Sequence, residues 1–284
     1  MTNPLLSVVI PTWNRARLVC EAIGSALSQR SGAVEVIVVD DASTDSTIDL
    51  LNETFGSWVH LLSLSERGGP GPARNAGAGL ARGEFVAFLD SDDLFLPGKL
   101  DAELRVLAEF PNAGVVVSDS QNFFEGQPDG SSRFAQNGLL AATGGRVCLA
   151  SDCEWLWTNS MNTAHTCSIT VRREALAQLG AKLFAEDLRC CEDWEFQMRL
   201  YHRCEAVVLP EVLSWVRRFD DGSRVGRGVP GRPASREQEI VLLRDRLTVM
   251  DRSQSWLQGL QSGLAAEFER FHIQTSAQLA QLTA

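Results

Sequence analysis

The chain has 284 residues, 44% of them hydrophobic, enough to bury a full core in one large domain or in one domain with an appendage. Its formal net charge of −10 excludes a general nucleic-acid binder, since a phosphate backbone would be repelled unless a basic face were segregated from the acids. No apolar run reaches the length of a membrane-spanning helix and the first residues lack the order of a signal peptide, so the expected location is cytoplasmic.

Ser7-Val8-Val9-Ile10, closed by Pro11, reads as a first buried strand ending in a turn. Asn14 then offers a helix cap, and Leu18, Val19, Ala22, Ile23, Ala26 and Leu27 recur at helical spacing. Val34 to Val39 is a second strand ending in Asp40 and Asp41. The run from Ala42 to Thr47 supplies cap candidates for a second helix, Asp45 among them. A third strand is expected from Val59 to Leu64. It leads into the Gly68-Gly69-Pro70-Gly71-Pro72-Ala73-Arg74 loop and a short small-residue helix. Strand and helix alternating over short connections mark an α/β fold with a doubly wound, mostly parallel sheet flanked by helices.

Phe85-Val86-Ala87-Phe88-Leu89 has no polar alternation, so it reads as a strand buried on both faces, and it ends in Asp90-Ser91-Asp92-Asp93. Ligands of open α/β sheets bind outside the carboxyl ends of the strands, so these acids stand where a ligand would. Three neighbouring carboxylates repel one another unless a cation or a network of donors compensates them, and hard divalent cations prefer carboxylate oxygens. Mg²⁺ or Mn²⁺ holding a phosphate is the expectation. A helix over Leu94 to Phe110 and a strand at Val115-Val116-Val117 follow.

From Gln121 to Gly145 the periodicity weakens and a loop region is expected. Trp155, Trp157, Met161 and His165 are amphipathic candidates for the floor of an acceptor pocket, with core packing as the plainer use. Thr166 to Val171 reads as an edge strand, followed by helices over Arg173 to Leu179 and from Cys191-Glu192-Asp193-Trp194 onward. Acids in a first helical turn are favoured by the helix dipole, which alone would account for Glu192 and Asp193. Ala206 to Leu209 reads as a strand stopped by Pro210, with a turn at Asp220-Asp221-Gly222-Ser223 and a linker from Gly226 to Pro233. The late arginines Arg217, Arg218, Arg224, Arg227 and Arg232 suit a few phosphates better than a duplex. Arg236 to Met250 and Trp256 to Leu282 form a helical appendage, whose apolar stripes would serve self-association or contact with an anchored acceptor. Cys20, Cys148, Cys153, Cys167, Cys190, Cys191 and Cys204 lack metal-type spacing and read as reduced thiols.

Taken in order, Ser7-Val8-Val9-Ile10-Pro11-Thr12-Trp13-Asn14-Arg15, Val38-Val39-Asp40-Asp41, Ala73-Arg74-Asn75-Ala76-Gly77, Gly83 to Asp93 and Glu192-Asp193-Trp194 resemble the family 2 inverting glycosyltransferases. The resemblance implies the GT-A fold, with a nucleotide-sugar-binding half over 1–120, an acceptor-binding half over 121–225 and a helical extension over 226–284. It implies a donor set of Pro11, Thr12, Arg15, Asp41, Arg74, Asp90, Ser91 and Arg217, in which Pro11 and Asp41 frame the base and Arg74 meets the diphosphate. Asp92 and Asp90 would hold the divalent metal, Asp93 assisting. Asp193 would be the catalytic base and Glu192 its supporting acid. The donor is a nucleotide sugar, UDP first among the alternatives dTDP and GDP. The acceptor is a glycan, a lipid-linked glycan, a peptide or a small molecule, and peripheral membrane association and a homo-oligomer are open.

One departure stands out. Relatives often carry a His shortly after a strand-borne Arg, and the position that aligns with it here is Phe219 in Val216-Arg217-Arg218-Phe219. Arg217 or Arg218 is then expected to supply positive charge to the diphosphate. A dinucleotide fold is disfavoured because the glycine loop lacks its third glycine and follows the third strand. A non-catalytic sugar-nucleotide or glycan binder on the same fold has the intact Asp92 and Asp193 against it.

Overall fold

The structure, a computed structural model, describes residues 4–29, 34–152, 164–219, 235–257 and 262–283. Cys153, Trp155, Trp157, Met161, the 220–223 turn, Arg224, Arg227, Arg232 and the 226–233 linker lie outside the described residues.

Strand β1 (Leu6–Thr12) is buried along its whole length and pairs in parallel with β2 (Val34–Asp40) and, on its other side, with β4 (Phe85–Phe88). β3 (His60–Ser63) adds in parallel outside β2. The crossovers are helices α1 (Ala16–Leu27), α2 (Thr47–Thr54) and α3 (Pro70–Leu80), and α1 turns Val19, Ala22, Ile23 and Ala26 inward, the face its spacing dictates. Helix α3 comes very close to the sheet. A Cβ on Gly77 would stand 2.4 Å from Val9 Cγ1, so only glycine permits this approach.

Beyond β4 the sheet becomes mixed. After the two-residue β5 (Leu94–Phe95) and α4 (Lys99–Glu109), β6 (Ala113–Phe124) runs for twelve residues. The expected loop therefore begins later than Gln121. Polar Ser118 and Asp119 are tolerated inside because Ser118 Oγ donates to Glu103 Oε1 (2.7 Å) and Asp119 Oδ1 accepts from Ser120 N and Phe134 N. The region after it holds β7 (Gln127–Pro128), α5 (Arg133–Gln136), α6 (Leu139–Ala142) and β8 (Cys148–Leu149).

The segment expected as an edge strand is central. β9 (Ile169–Arg172) lies antiparallel between β4 and β6, and Thr170 is accommodated by donating to Glu103 Oε2 at 2.7 Å. Short α7 (Arg173–Ala177) and then α8 (Glu192–Arg203) lead to β10 (Glu205–Arg217), parallel to β6. Pro210 does not stop β10: the register shifts between Leu209 and Val212, so the residue without an N–H sits in an irregularity. Its far end pairs antiparallel with Leu94–Phe95, which is why α4 starts at Lys99, after the left-handed Gly98 (φ 81), rather than at Leu94. The strand order is β3-β2-β1-β4-β9-β6-β10-β5.

Helix α8 is fixed to β4 by aromatics. Phe88 meets Phe184 and Phe196 edge-on at 5.1 and 5.7 Å, and Phe184 stacks on Phe196 at 4.3 Å. Phe88 lies two residues before Asp90 and Phe196 three after Asp193, so this cluster brings the two acidic motifs to one place. The helical extension, α9 (Arg236–Leu257) and α10 (Ser262–Thr283), packs behind α8 through Val249, Met250 and Phe268 against Leu188, Trp194 and Met198. Among the described residues no helix is long and apolar enough to cross a membrane.

Candidate active site

The site lies at the carboxyl ends of β1, β2 and β4. Asn14 does not cap α1; Arg15 occupies the cap position without a side-chain bond. Asn14 takes a left-handed backbone (φ 49) and stitches two loops together, its Oδ1 accepting from Thr44 N at 2.7 Å while its own N–H donates to Ser43 Oγ at 2.8 Å. Asp45 is not the cap residue either; Ser46 holds that position, and Asp45, one residue before it, accepts from Thr47 N at 3.0 Å. The Asp41 carboxylate accepts from Gly68 N (2.7 Å) and Gly69 N (2.8 Å), so it fastens the glycine loop beside the base site the resemblance implied. Asp40, not among the expected donor contacts, is fully buried. Its Oδ1 and the Oγ1 of Thr12, its cross-strand neighbour, have no partner among the described residues. Buried polar atoms are costly to leave unmade, so these two mark a place where an added donor is gained. Pro11 and Ser91 are buried as well.

The three acids of the motif diverge, and arginines answer their charge. Arg15 Nη1 lies 2.5 Å from Asp92 Oδ2. Arg74 Nη2 lies 2.5 Å from Asp90 Oδ1. Asp93 Oδ1 accepts from Arg217 N at 3.0 Å, and Arg217 Nε donates to the Asp92 carbonyl at 3.0 Å. Among the described residues no three His, Cys, Asp or Glu side chains converge as a cation site. Mg²⁺ commonly needs only one or two carboxylates and completes its shell with substrate phosphates and water, so Asp92 and the 35% exposed Asp90 fit such an ion as hard oxygen donors.

Arg217, expected beside the diphosphate, also has protein partners at the acidic turn. Its Nη2 pairs with Glu21 Oε2 at 2.5 Å and its guanidinium lies 4.6 Å from the Phe123 ring, so it braces the acidic turn. Arg218 lies 3.7 Å from Asp129 Oδ2. Phe219, at the position of the family His, has Arg15 over its ring at 5.5 Å. The Phe219 ring thus packs on the arginine that pairs with Asp92.

Arg74 is the centre of the site. Its Nη1 lies 2.7 Å from Glu192 Oε1, so one guanidinium, only 4% exposed, spans the acidic motif and the start of α8. Burial alone would push its pKa down, but the Asp90 and Glu192 carboxylates outweigh this and hold it above the usual arginine value. Burial drives Glu192 the other way. Its pKa is pushed up to about 7, against the pull of Arg74 and with the help of neighbouring Asp193. Asp193 is half-buried and its Oδ1 accepts from Trp194 N at 2.8 Å. His165 stands apart, with Nδ1 2.8 Å from Ser120 Oγ.

The family described as Glycosyl transferase family 2 matches residues 7–179. Among curated relatives, the succinoglycan biosynthesis protein ExoO of Rhizobium meliloti (strain 1021) is 45% identical over 97 residues, 34% of this chain and 28% of its own length. The teichuronic acid biosynthesis glycosyltransferase TuaG of Bacillus subtilis (strain 168), described as putative there, is 40% identical over 113 residues, 38% of this chain and 45% of its own. The matched stretches thus span less than half of either relative. Staphylococcus aureus TarS 1–349 in complex with UDP superposes with a TM-score of 0.64 at 21% identity, over 95% of this chain and 70% of that one. The mannosyltransferase PcManGT of Pyrobaculum calidifontis, with GDP-Man and Mn²⁺, gives 0.63 at 20% identity over 98% and 70%. With its family matched over more than half its length and its architecture shared with these structures, the chain belongs to glycosyl transferase family 2 and has the GT-A fold.

Proposed function

We propose that this protein transfers a sugar from a nucleoside-diphosphate sugar, UDP first among the nucleotides, to an acceptor hydroxyl with inversion. The observation that carries the reading is the Arg74 guanidinium held between Asp90 and Glu192. A donor-side acid and the first residue of α8 thus meet on one guanidinium, which supports a displacement with leaving group and nucleophile on opposite faces of a sugar.

In this reading Pro11, Thr12, Asp41 and the buried Asp40 receive the base and ribose, with Arg15, Ser91 and Arg217 beside the diphosphate. A divalent cation on Asp92 and Asp90 supplies, when bound, charge neutralisation for the departing diphosphate. Asp193 takes the proton of the acceptor hydroxyl, a poor nucleophile without a carboxylate in hydrogen-bond reach. Glu192 and Arg74 hold that end of α8 against the donor. Residues 1–120 form the donor half and 121–225 the acceptor half. The names of the curated relatives favour a growing bacterial polysaccharide as acceptor.

Release of nucleoside diphosphate from UDP-, GDP- and dTDP-sugars, with and without Mn²⁺ and with Asp193→Asn as control, tests this. Turnover with one donor, lost in Asp193→Asn while nucleotide binding persists, is the expected result. Tight donor binding without turnover on any glycan acceptor would overturn it in favour of a sugar-nucleotide binder.

A further inference from the structure

We infer that the C-terminal extension has a part in the reaction, and that Asp245 on α9 is a positioning residue for Glu192 and Asp193. The inference rests on the glycosyltransferase reading for its kinetic consequence, but not for its structural one.

The turn that leads into α8 has an uncommon backbone. Cys191, the residue just before Glu192, takes a left-handed conformation (φ 66, ψ 11), which a side chain with a Cβ adopts only when its surroundings hold it there. At the cap position of α8, Cys191 makes no side-chain cap bond among the described residues. The constraint comes from a distant part of the sequence. Asp245 Oδ2 accepts from Arg189 N and Cys190 N, both at 2.8 Å, and from the Cys190 thiol at 3.3 Å. Two backbone N–H groups and a thiol converge on one carboxylate oxygen, directly before the strained residue. Arg252, two turns further along α9, pairs with Asp187 at 2.5 Å. Val249 and Met250, between them on α9, pack against Leu188, Trp194 and Met198. The same helix thus grips the turn on both sides and the first turn of α8 from behind.

The consequence follows from geometry. Glu192 reaches Arg74, and Asp193 stands where it does, only while Cys191 stays left-handed. With Asp245 removed, two N–H groups lose their acceptor and the turn is free to relax to a right-handed backbone. That would swing the start of α8 relative to Asp90. Catalytic groups tolerate little of this, since a displacement of about 1 Å can cost about 100-fold in rate.

The test uses the full chain and three variants: Asp245→Ala, Asp245→Asn, and Asp245→Ala combined with Cys191→Gly. Glycine takes the left-handed backbone without strain, so the second substitution should rescue the first. The expected result is faster amide exchange at residues 187–193 in Asp245→Ala, with the β1–β4 strands unchanged. kcat should fall about 10- to 100-fold while the donor KM stays within about twofold. Asp245→Asn, which keeps an acceptor oxygen, should lie between, and the combined variant should regain both protection and rate. Unchanged exchange at 187–193, or loosening spread evenly over α8 to α10 without rescue, would overturn the inference. If the wild type turns over no donor, the glycosyltransferase reading fails by itself, and the exchange pattern and its reversal still decide the role of Asp245.

Discussion

Arg74 holds two carboxylates at once in a nearly dry setting, and this makes its neighbourhood the most sensitive place in the protein. Replacing it by Met leaves Asp90 and Glu192 without their counter-charge, and breaking a buried pair from one side costs about 3–5 kcal/mol. Arg74→Met should therefore lower the denaturant midpoint well beyond what the lost volume explains. Glu192 makes a second prediction through pH. Its folded pKa is raised, chiefly by burial, so between its ordinary value and about 7 the folded state keeps a proton that the unfolded chain has released. Stability therefore falls as pH rises through that window and levels off above it. Unfolding free energies measured at steps across the window should show a shallower decline in Glu192→Gln, and an equal slope in both proteins would contradict the assignment. Asp92 carries the third. Any divalent cation reaching it competes with the Arg15 guanidinium at 2.5 Å, so Arg15→Gln should bind Mn²⁺ several-fold more tightly, read by paramagnetic resonance titration.

Among the elements, α3 and α4 show how closely helices can be fitted to this sheet. Gly77→Ala would drive a methyl against Val9 and Val39, and overpacking of that kind costs about 1–3 kcal/mol. The loss should appear as a lower melting temperature with the same unfolding cooperativity. Helix α4 is joined to β6 and β9 by a fully buried network in which Glu103 accepts from Lys99, Ser118 and Thr170. Lys99→Met strands the Glu103 charge, whereas the double change Lys99→Met with Glu103→Leu removes both charges. The single variant should be the less stable of the two, because an unpaired buried charge costs more than an apolar replacement of the pair.

For the whole molecule, the parallel half and the mixed half meet at β9, and the Arg74 contacts join α8 to the acidic turn after β4 near that seam. The extension closes the assembly from behind α8 rather than hanging from it. Met250→Ala should therefore destabilise by about 2–5 kcal/mol and, more tellingly, raise amide exchange in α8 while leaving β1 and β2 protected.

Much of this was legible from residues alone. Val8-Val9-Ile10, Val36 to Val39 and Phe85 to Leu89 lack polar alternation because both of their faces are covered, and a run buried on two sides announces itself locally. The acids follow those runs directly, so their place at the carboxyl ends of the strands was legible too. Through-space pairing left no such mark. That Arg15 would face Asp92, that Arg74 would bridge to Glu192 across 118 positions, or that Asp245 would hold the turn at Cys190 depends on where helices come to rest against the sheet. Thr166 to Val171 reads as an edge strand, yet Glu103 supplies the acceptor that lets Thr170 lie in the middle of the sheet. Hydrophobic period and turn chemistry act over a few residues and so settle most of the elements, while the ordered motifs carry the resemblance to the family. The partners of buried charges are settled by packing, which only the folded chain computes.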